Sequence, residues 1–88
     1  MKQNWFVYML RCGDGSLYTG TAADVDRRLA VHQSGKGAKY TRSHLPVEVV
    51  YREALPDRSA ALRRECAIKR LSRAEKLDLI VRKGDGPQ

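Results

Sequence analysis

The sequence has few of the residues that build disulfide, metal or membrane structures. Its two cysteines, Cys12 and Cys66, lie in no CxxC pair and have no histidine at a matching metal-ligand spacing. This excludes a disulfide framework and a zinc finger, and we expect two free, buried thiols. The longest apolar run, residues 5–10, is far shorter than the roughly 18 residues of a membrane span, and only Lys2 precedes it as a positive charge. We therefore expect a soluble, cytoplasmic protein with no membrane partner.

Acidic residues are also scarce relative to basic ones. Ten Asp and Glu face seventeen Lys and Arg, so the chain carries a formal charge of +7 and has a pI near 9.9. Such a balance favours a polyanionic partner such as nucleic acid. A hydrophobic content of 42% excludes a disordered basic tail. At 88 residues we expect one small domain over residues 1–83, followed by a disordered C-terminal tail at residues 84–88.

Three segments have β character. Residues 5–12 are apolar on both alternating faces, which predicts a central strand covered on each side. Residues 13–16 contain the Asp-Gly turn signal, and residues 17–21 return as a partner strand, so the chain opens with a β-hairpin. Residues 47–55 predict a third strand, which Pro56 ends because it lacks a backbone donor.

Capping signals predict three helices, because each segment follows a side chain that accepts hydrogen bonds from free first-turn amides. The helix limits are Asp24 to a stop at Ser34 and Gly35, then Asp57 or Ser59 to about Leu71, then the capping box of Ser72 and Glu75 to a frayed end near Lys83. The predicted element order is therefore ββαβαα.

Two tyrosines of the hairpin are the first candidate site residues. A single strand tyrosine is usually a packing residue, so the pair matters only if both hydroxyls share one face of the sheet. A plain two-residue turn would place Tyr8 opposite Thr21 and send Tyr8 and Tyr18 to opposite faces. A three-residue turn with a glycine bulge would place Tyr8 opposite Ala22 and bring both tyrosines to one face. A shared site requires the bulged turn.

The first helix carries two further candidates. Arg28 and His32 are four residues apart and therefore neighbours on one surface, beside apolar positions. The alternative is structural, with Arg28 paired to Asp24 one turn earlier and His32 stabilising the end of the helix dipole.

Glu65 places an ionisable carboxylate within a largely apolar stripe of the second helix, with Ala61 four residues before it and Ile68 three residues after it. The plain explanation is an ordinary helix ion pair with Lys69, four residues on. The alternative is that the carboxylate faces a cleft and holds a divalent cation through oxygen, with substrate phosphates and waters completing the shell.

Residues 35–44 are rich in glycine and positive charge, which predicts an exposed loop with room for a short helical turn. Tyr40 offers a ring for base stacking, and the basic residues suited to phosphate contacts are Lys36, Lys39 and Arg42. A merely solvated loop explains the same composition equally well.

In this order, the candidate residues resemble a GIY-YIG nuclease domain, over about residues 5–80 and most closely its small stand-alone YhbQ-like members. The residues that carry the resemblance are Phe6-Val7-Tyr8, Tyr18-Thr19-Gly20, Arg28, His32 and Glu65. The sequence departs from the motif at two positions, since Phe6 stands where glycine begins the first triplet and Thr19 replaces isoleucine in the second.

The resemblance implies a small α/β (α+β) domain with a three-stranded antiparallel sheet flanked by helices, and a nuclease that cuts DNA with one divalent metal, Mg²⁺ or Mn²⁺, in DNA repair or processing. RNA as a substrate and the oligomeric state are left open. By resemblance, Tyr8 or Tyr18 activates or positions the attacking water, Arg28 stabilises transition-state charge, His32 assists proton transfer or orients the tyrosine and phosphate, and Glu65 ligates the metal. Lys69 and the basic loop then become DNA contacts. A nucleic-acid-binding module with little or no catalysis is the alternative.

Overall fold

A computed structural model describes residues 4–83. Its elements are β1 (Trp5–Arg11), β2 (Leu17–Ala22), α1 (Val25–Gln33), α2 (Lys39–Arg42), β3 (Glu48–Leu55), α3 (Arg58–Lys69) and α4 (Arg73–Lys83). The strands form one antiparallel sheet in the order β2-β1-β3. The expected α+β architecture and ββαβαα order are confirmed, and α2 is the short helical turn within the basic loop. None of the helices within residues 4–83 combines the length and the apolar character needed to cross a membrane.

The central strand β1 separates two hydrophobic clusters. Tyr8 and Leu10 point to one face and pack in a cluster with Val25 of α1. Val7 and Met9 point to the other face, where they pack in a second cluster with side chains of β3 and α3. Because strand side chains alternate, a strand that is buried on both faces must be apolar at consecutive positions. The prediction of a doubly covered central strand is confirmed.

The helices begin where the capping residues predict. Asp24 accepts a hydrogen bond from the Arg27 amide at the start of α1. Asp57, rather than Ser59, caps α3 by accepting from the Ala60 amide, and α3 ends two residues before the expected Leu71. A reciprocal capping box starts α4, because the Ser72 amide donates to Glu75 Oε1 at 2.8 Å and the Glu75 amide donates to Ser72 Oγ at 3.1 Å.

The hairpin turn is the bulged type that a shared tyrosine site requires. The Cys12 amide donates to Ser16 O at 2.9 Å, the Gly15 amide donates to Cys12 O at 2.9 Å, and Gly15 has a φ of 86°, which a glycine bulge needs. The expected pairing of Tyr8 with Ala22 is wrong, since Tyr8 lies opposite Gly20. The turn is centred one residue earlier than expected, so the pairing shifts by two residues. An even shift preserves side-chain alternation, so both tyrosines still share one face.

The cysteines differ in burial. Cys12 is buried at the end of β1, as expected, and Cys66 is exposed, so the prediction of two buried thiols is wrong for Cys66. Ala61 and Ile68 form the side of α3 that faces the core, and Cys66 lies on the other side of the helix.

The predicted disordered tail, residues 84–88, lies outside the described residues.

Candidate active site

Tyr8, Tyr18 and His32 form a polar cluster on the α1 side of the sheet. His32 is fully buried and Tyr8 is 2% exposed, whereas Tyr18 is only half-buried. The Tyr8 and Tyr18 rings both meet the imidazole edge-on, with centroid separations of 6.2 and 5.3 Å respectively. The fold therefore brings together the hairpin tyrosines and the α1 histidine, which are far apart along the chain.

A continuous run of hydrogen bonds fixes the tautomer of His32. Thr41 Oγ1 donates its single hydrogen to Ala38 O at 3.0 Å, so it accepts from His32 Nδ1 at 2.7 Å. Nε2 is then the unprotonated nitrogen and accepts from the Tyr8 hydroxyl at 3.1 Å. Thr41 is a site residue that the sequence reasoning missed, because a threonine nine positions after a histidine carries no spacing signal.

His32 lies in the last turn of α1, but the expectation that it acts there as a cation stabilising the helix dipole is wrong. His32 lies inside the core, where burial, aided by the positive charge of Arg28, lowers its pKa and favours the neutral imidazole over the cation that a helix dipole would stabilise. The Asp24 side chain accepts from the Arg27 amide. The Arg28 guanidinium lies close enough to Tyr8 for its positive charge to lower the pKa of the Tyr8 hydroxyl. Tyr8 thus donates to His32 beside the positive charge of Arg28.

The same burial makes Tyr8 a weak acid. Desolvation, reinforced by the neighbouring Tyr18, raises the pKa of Tyr8 to about 12, although the nearby Arg28 guanidinium opposes the shift. Tyr8 is therefore a neutral hydroxyl at physiological pH. Its chemical use depends on its hydrogen bond to His32 and on the nearby charge of Arg28 rather than on ready ionisation.

Acidification is expected to destabilise the fold through His32. Its pKa in the folded state is lowered, so as pH falls below about 6.5 the unfolded chain takes up a proton that the folded chain excludes. The free energy of unfolding should drop between pH 7 and pH 5, by no more than about 1.4 kcal/mol per pH unit for this group. Urea denaturation at a series of pH values measures the slope.

The matched control uses the other histidine. His44→Gln should retain the slope between pH 7 and pH 5, and His32→Gln should flatten it, whatever its absolute stability. Carboxylate titration lies below this window. An NMR titration of the wild-type His32 ring provides a second measurement, and a midpoint above 6.5 would contradict the assignment.

Two glycines provide the space that this cluster needs. A Cβ at Gly20, opposite Tyr8 in the hairpin, would lie 2.7 Å from the Tyr8 hydroxyl oxygen. A Cβ at Gly37 would lie 2.3 Å from His32 Nδ1. Gly20 belongs to the motif that carries the resemblance, and its steric role is visible only once the strand pairing is known.

Glu65 and Lys69 bring opposite charges to the tyrosines. Glu65 Oε2 lies 2.8 Å from Lys69 Nζ, and the Glu65 side chain is 17% exposed. The Glu65 charge is close enough to raise the pKa of Tyr8, as the smallest of several causes. The Glu65 hydrogen bond raises the pKa of Lys69, with a smaller effect from Tyr18. The predicted helix ion pair is therefore present, and it lies beside the tyrosine cluster, where the alternative interpretation requires the carboxylate.

A second polar network on β3 holds α3 in its orientation. Arg64 Nε donates to Glu53 Oε1 at 3.0 Å, and the buried Tyr51 hydroxyl donates to the same oxygen. Because Arg64 precedes Glu65 in the helix, this attachment limits rotation of α3 about its axis. It therefore helps to keep the Glu65 carboxylate on the side of the tyrosines.

Tyr40 of α2 lies between two rings. It is nearly parallel to Tyr18, with centroids 6.5 Å apart, and it stacks on His44 at 4.3 Å. His44, to which the sequence assigns no role, also approaches Asp14 through Nε2 at 3.4 Å. The stack links the basic loop to the hairpin, so this segment is more than a solvated loop.

The predicted nucleic-acid contacts fall into two groups. Lys69 lines a cleft with Tyr18 and Tyr40, and Lys76 of α4, which the sequence reasoning missed, lines it as well. The other predicted contacts are exposed and belong to the α1–α2 loop or to α2, namely Lys36, Lys39 and Arg42. The basic charge therefore lies in and beside a cleft that Tyr18 borders.

The donor set fits one hard divalent cation held mainly by substrate. No three histidine, cysteine, aspartate or glutamate side chains converge as a metal site within residues 4–83. The single carboxylate of Glu65 already attracts a cationic partner, the Lys69 ammonium. Mg²⁺ keeps several waters and binds through one or two carboxylates plus substrate phosphates, so the single carboxylate of Glu65 fits this mode of binding.

Comparison with known proteins identifies the family to which this chain belongs. The model of the GIY-YIG catalytic domain matches residues 4–78, a range that includes every candidate catalytic residue. The chain belongs to the GIY-YIG family. The expected resemblance is thereby confirmed, and with it membership of a nuclease superfamily. Phe6 and Thr19, the two departures from the triplets, leave both tyrosines and Gly20 in place.

Relatives of this GIY-YIG chain carry the name UPF0213 protein, which states no activity. One from Cupriavidus pinatubonensis is 51% identical over 77 residues, covering 88% of this chain and 86% of the relative. One from Staphylococcus epidermidis is 53% identical over 75 residues, covering 85% and 92%. The solution NMR structure of a Bacillus halodurans UPF0213 protein is 50% identical, covers 93% of this chain and 87% of that one, and superposes with a TM-score of 0.61.

Proposed function

We propose that this protein is a nuclease that hydrolyses phosphodiester bonds of DNA with the aid of one Mg²⁺ or Mn²⁺ ion, in DNA repair or processing. The observation that carries the proposal is the Tyr8 hydroxyl, which bonds to His32 close to the charges of Arg28 and Glu65. Membership of the GIY-YIG family supports the same reaction class.

The two tyrosines are proposed to have different tasks. Tyr18 is half-buried and lines the open cleft, so it is the tyrosine we assign to positioning the attacking water. Tyr8 is almost fully buried, and it relays a proton towards His32 Nε2. The neutral tautomer of His32 leaves Nε2 free to accept that proton.

The cationic side chains are proposed to hold the phosphate. Arg28 offers several donors in a planar fork, which suits a phosphate gaining charge in the transition state. Lys69 and Lys76 line the cleft and contact neighbouring phosphates. The exposed basic residues of the α1–α2 segment extend this surface along the strand.

Glu65 would hold the metal after Lys69 moves away from the Glu65 carboxylate. When bound, a divalent ion stabilises the charge that develops on the phosphate and the leaving oxygen. Lys69 Nζ lies 2.8 Å from the carboxylate, so the ammonium must move to admit the ion. The flexible lysine side chain allows this movement, and a DNA phosphate offers Lys69 a new partner.

The direct test incubates the purified protein with single-stranded, nicked and branched DNA and with a single-stranded RNA of matched sequence. We expect DNA cleavage with Mg²⁺ or Mn²⁺ and none in EDTA. Cleavage of the RNA alone would redirect the proposal to RNA. Lack of cleavage of every substrate with both metals would contradict it.

A nucleic-acid-binding module is the second candidate, and one observation favours it. The Glu65 carboxylate beside the tyrosines is already paired with Lys69, an arrangement that suits a basic binding surface without a metal. Such a module would bind DNA in EDTA, lose affinity steeply with salt and show no metal-dependent cleavage. The same cleavage assay therefore separates the two functions.

A further inference from the structure

A groove on the far side of Arg28 is not used by the proposed chemistry. It runs between the beginning of β1, the end of β2 and the first turns of α1, and its main lining residues are Trp5, Thr21, Ala22, Arg27, Arg28 and Val31. It offers about 470 Å³, within the roughly 300–1,000 Å³ of small-ligand sites. Its lining combines an indole ring, small apolar side chains and two guanidinium groups.

Three arginine side chains lie near the Trp5 indole. The Arg58 guanidinium lies 5.7 Å from the Trp5 ring centroid, and Arg27 and Arg28 border the groove from α1. One carboxylate, Asp24, lies in the groove, and it accepts a hydrogen bond from the Arg27 amide. An aromatic surface beside several cations suits single-stranded nucleic acid, because bases stack on the aromatic ring while phosphates contact the cations.

Arg28 connects this groove to the candidate active site. The Arg28 guanidinium is close enough to Tyr8 for its charge to lower the pKa of the Tyr8 hydroxyl, and the same residue lines the groove that contains Trp5. A phosphate bound at Arg28 would therefore place the adjoining nucleotide at the entrance of the groove. A negatively charged occupant would neutralise the excess positive charge in the groove, where Arg27 and Arg28 outnumber the one carboxylate of Asp24.

We propose that this groove binds an unpaired nucleotide of a DNA strand, with its base against Trp5 and its phosphate on Arg27. The proposal deepens the proposed function, because it places a single-stranded segment directly beside the phosphate held by Arg28. It predicts a preference for substrates with an unpaired nucleotide next to the cut, since a base in a continuous duplex is stacked on its neighbours and cannot reach the indole.

The experiment uses Trp5 as its own reporter, because it is the single tryptophan of the chain. The full-length protein is titrated in EDTA with an oligothymidylate of eight nucleotides and with an abasic deoxyribose-phosphate oligomer of the same length. We expect the oligothymidylate to quench the Trp5 fluorescence and the abasic oligomer to quench it far less. Binding by anisotropy without any quenching would overturn the proposal.

Variants separate stacking from charge. Trp5→Leu should weaken oligothymidylate binding about tenfold, and Trp5→Phe, which keeps a ring, should restore most of the affinity. Arg27→Ala should weaken binding of both oligomers and reduce the salt dependence by about one phosphate contact. The control is Arg82→Ala, which alters an exposed arginine paired with Asp78 on α4 and should leave both affinities unchanged.

The outcomes distinguish this inference from the nuclease proposal. If DNA is cleaved but Trp5→Leu binds and cleaves like the wild type, the groove proposal fails and the nuclease proposal stands. If Trp5 is quenched by oligothymidylate but no metal supports cleavage, the groove proposal stands and the nuclease proposal fails. Circular dichroism and urea denaturation of each variant establish that a loss of binding is not a loss of folding.

Discussion

Glu65→Gln is expected to lower the rate of metal-dependent DNA cleavage by about three orders of magnitude while leaving the fold intact. The substitution preserves the shape of the side chain but removes the charge that holds the cation, and the lost stabilisation of a charged transition state is worth several kcal/mol. The loss of the Lys69 ion pair should cost little stability, because a partly exposed helix pair contributes only a few tenths of a kcal/mol. Single-turnover cleavage rates over a range of Mn²⁺ concentrations measure the effect.

The control for this prediction is Glu48→Gln. Glu48 is a β3 carboxylate paired at 3.7 Å with Arg11 and largely exposed, so its variant changes the net charge equally without touching the cleft. Its cleavage rate should equal that of the wild type. DNA binding in EDTA should be as tight, or slightly tighter, for both variants, because each removes a negative charge from a DNA-binding protein. Full activity of Glu65→Gln would show that another group holds the metal.

Tyr18→Phe and Tyr8→Phe are expected to separate catalysis from structure. Tyr18→Phe removes the hydroxyl of a half-buried residue that lines the cleft, so the cleavage rate should fall by about 10² or more with little change in the free energy of unfolding. Tyr8→Phe leaves the buried Nε2 of His32 without its donor, so it should lower the stability by about 1–3 kcal/mol in addition to slowing cleavage. Urea denaturation and single-turnover cleavage measure the two effects.

Tyr51→Phe is the matched control for the tyrosine pair. Tyr51 is equally buried, but its hydroxyl bonds to Glu53 on the other face of the sheet. The Arg64–Glu53 ion pair that holds α3 remains in this variant, so the variant should lose stability without a specific loss of the cleavage rate per folded molecule. An unchanged cleavage rate in Tyr18→Phe together with a large loss in Tyr8→Phe would reverse the assignment of the two tyrosines.

Local sequence signals were sufficient for the elements of this fold. The caps Asp24 and Asp57, the capping box at Ser72 and the apolar alternation of β1 each act within a few residues, so their effects can be predicted without knowledge of distant contacts. The pairing of Tyr8 required more, because it depends on where the bulge forms within residues 13–16. Shifting that turn by one residue moves each strand partner by two.

The candidate site was only partly predictable. The order of the tyrosines, Arg28 and Glu65 carried the family resemblance, which needs no knowledge of distances. The burial of His32 could not be predicted from α1 alone, because the loop that covers it, with Thr41 and Gly37, follows the helix. The exposure of Cys66 could not be predicted either, because the sequence does not show that α3 turns Ala61 and Ile68, rather than Cys66, towards the core.

The sequence by itself determined the element order, the basic charge and the identity of the residues available for chemistry, because these depend on composition and on neighbours along the chain. Only the tertiary structure decided which hydroxyl meets the imidazole, where the Arg28 guanidinium points and that a tryptophan groove adjoins it. Those relations join β1, β2, α1 and α2, and they depend on strand register and on the packing of α1 against the sheet. Register and packing are set by the hydrophobic burial of the whole domain rather than by any local pattern.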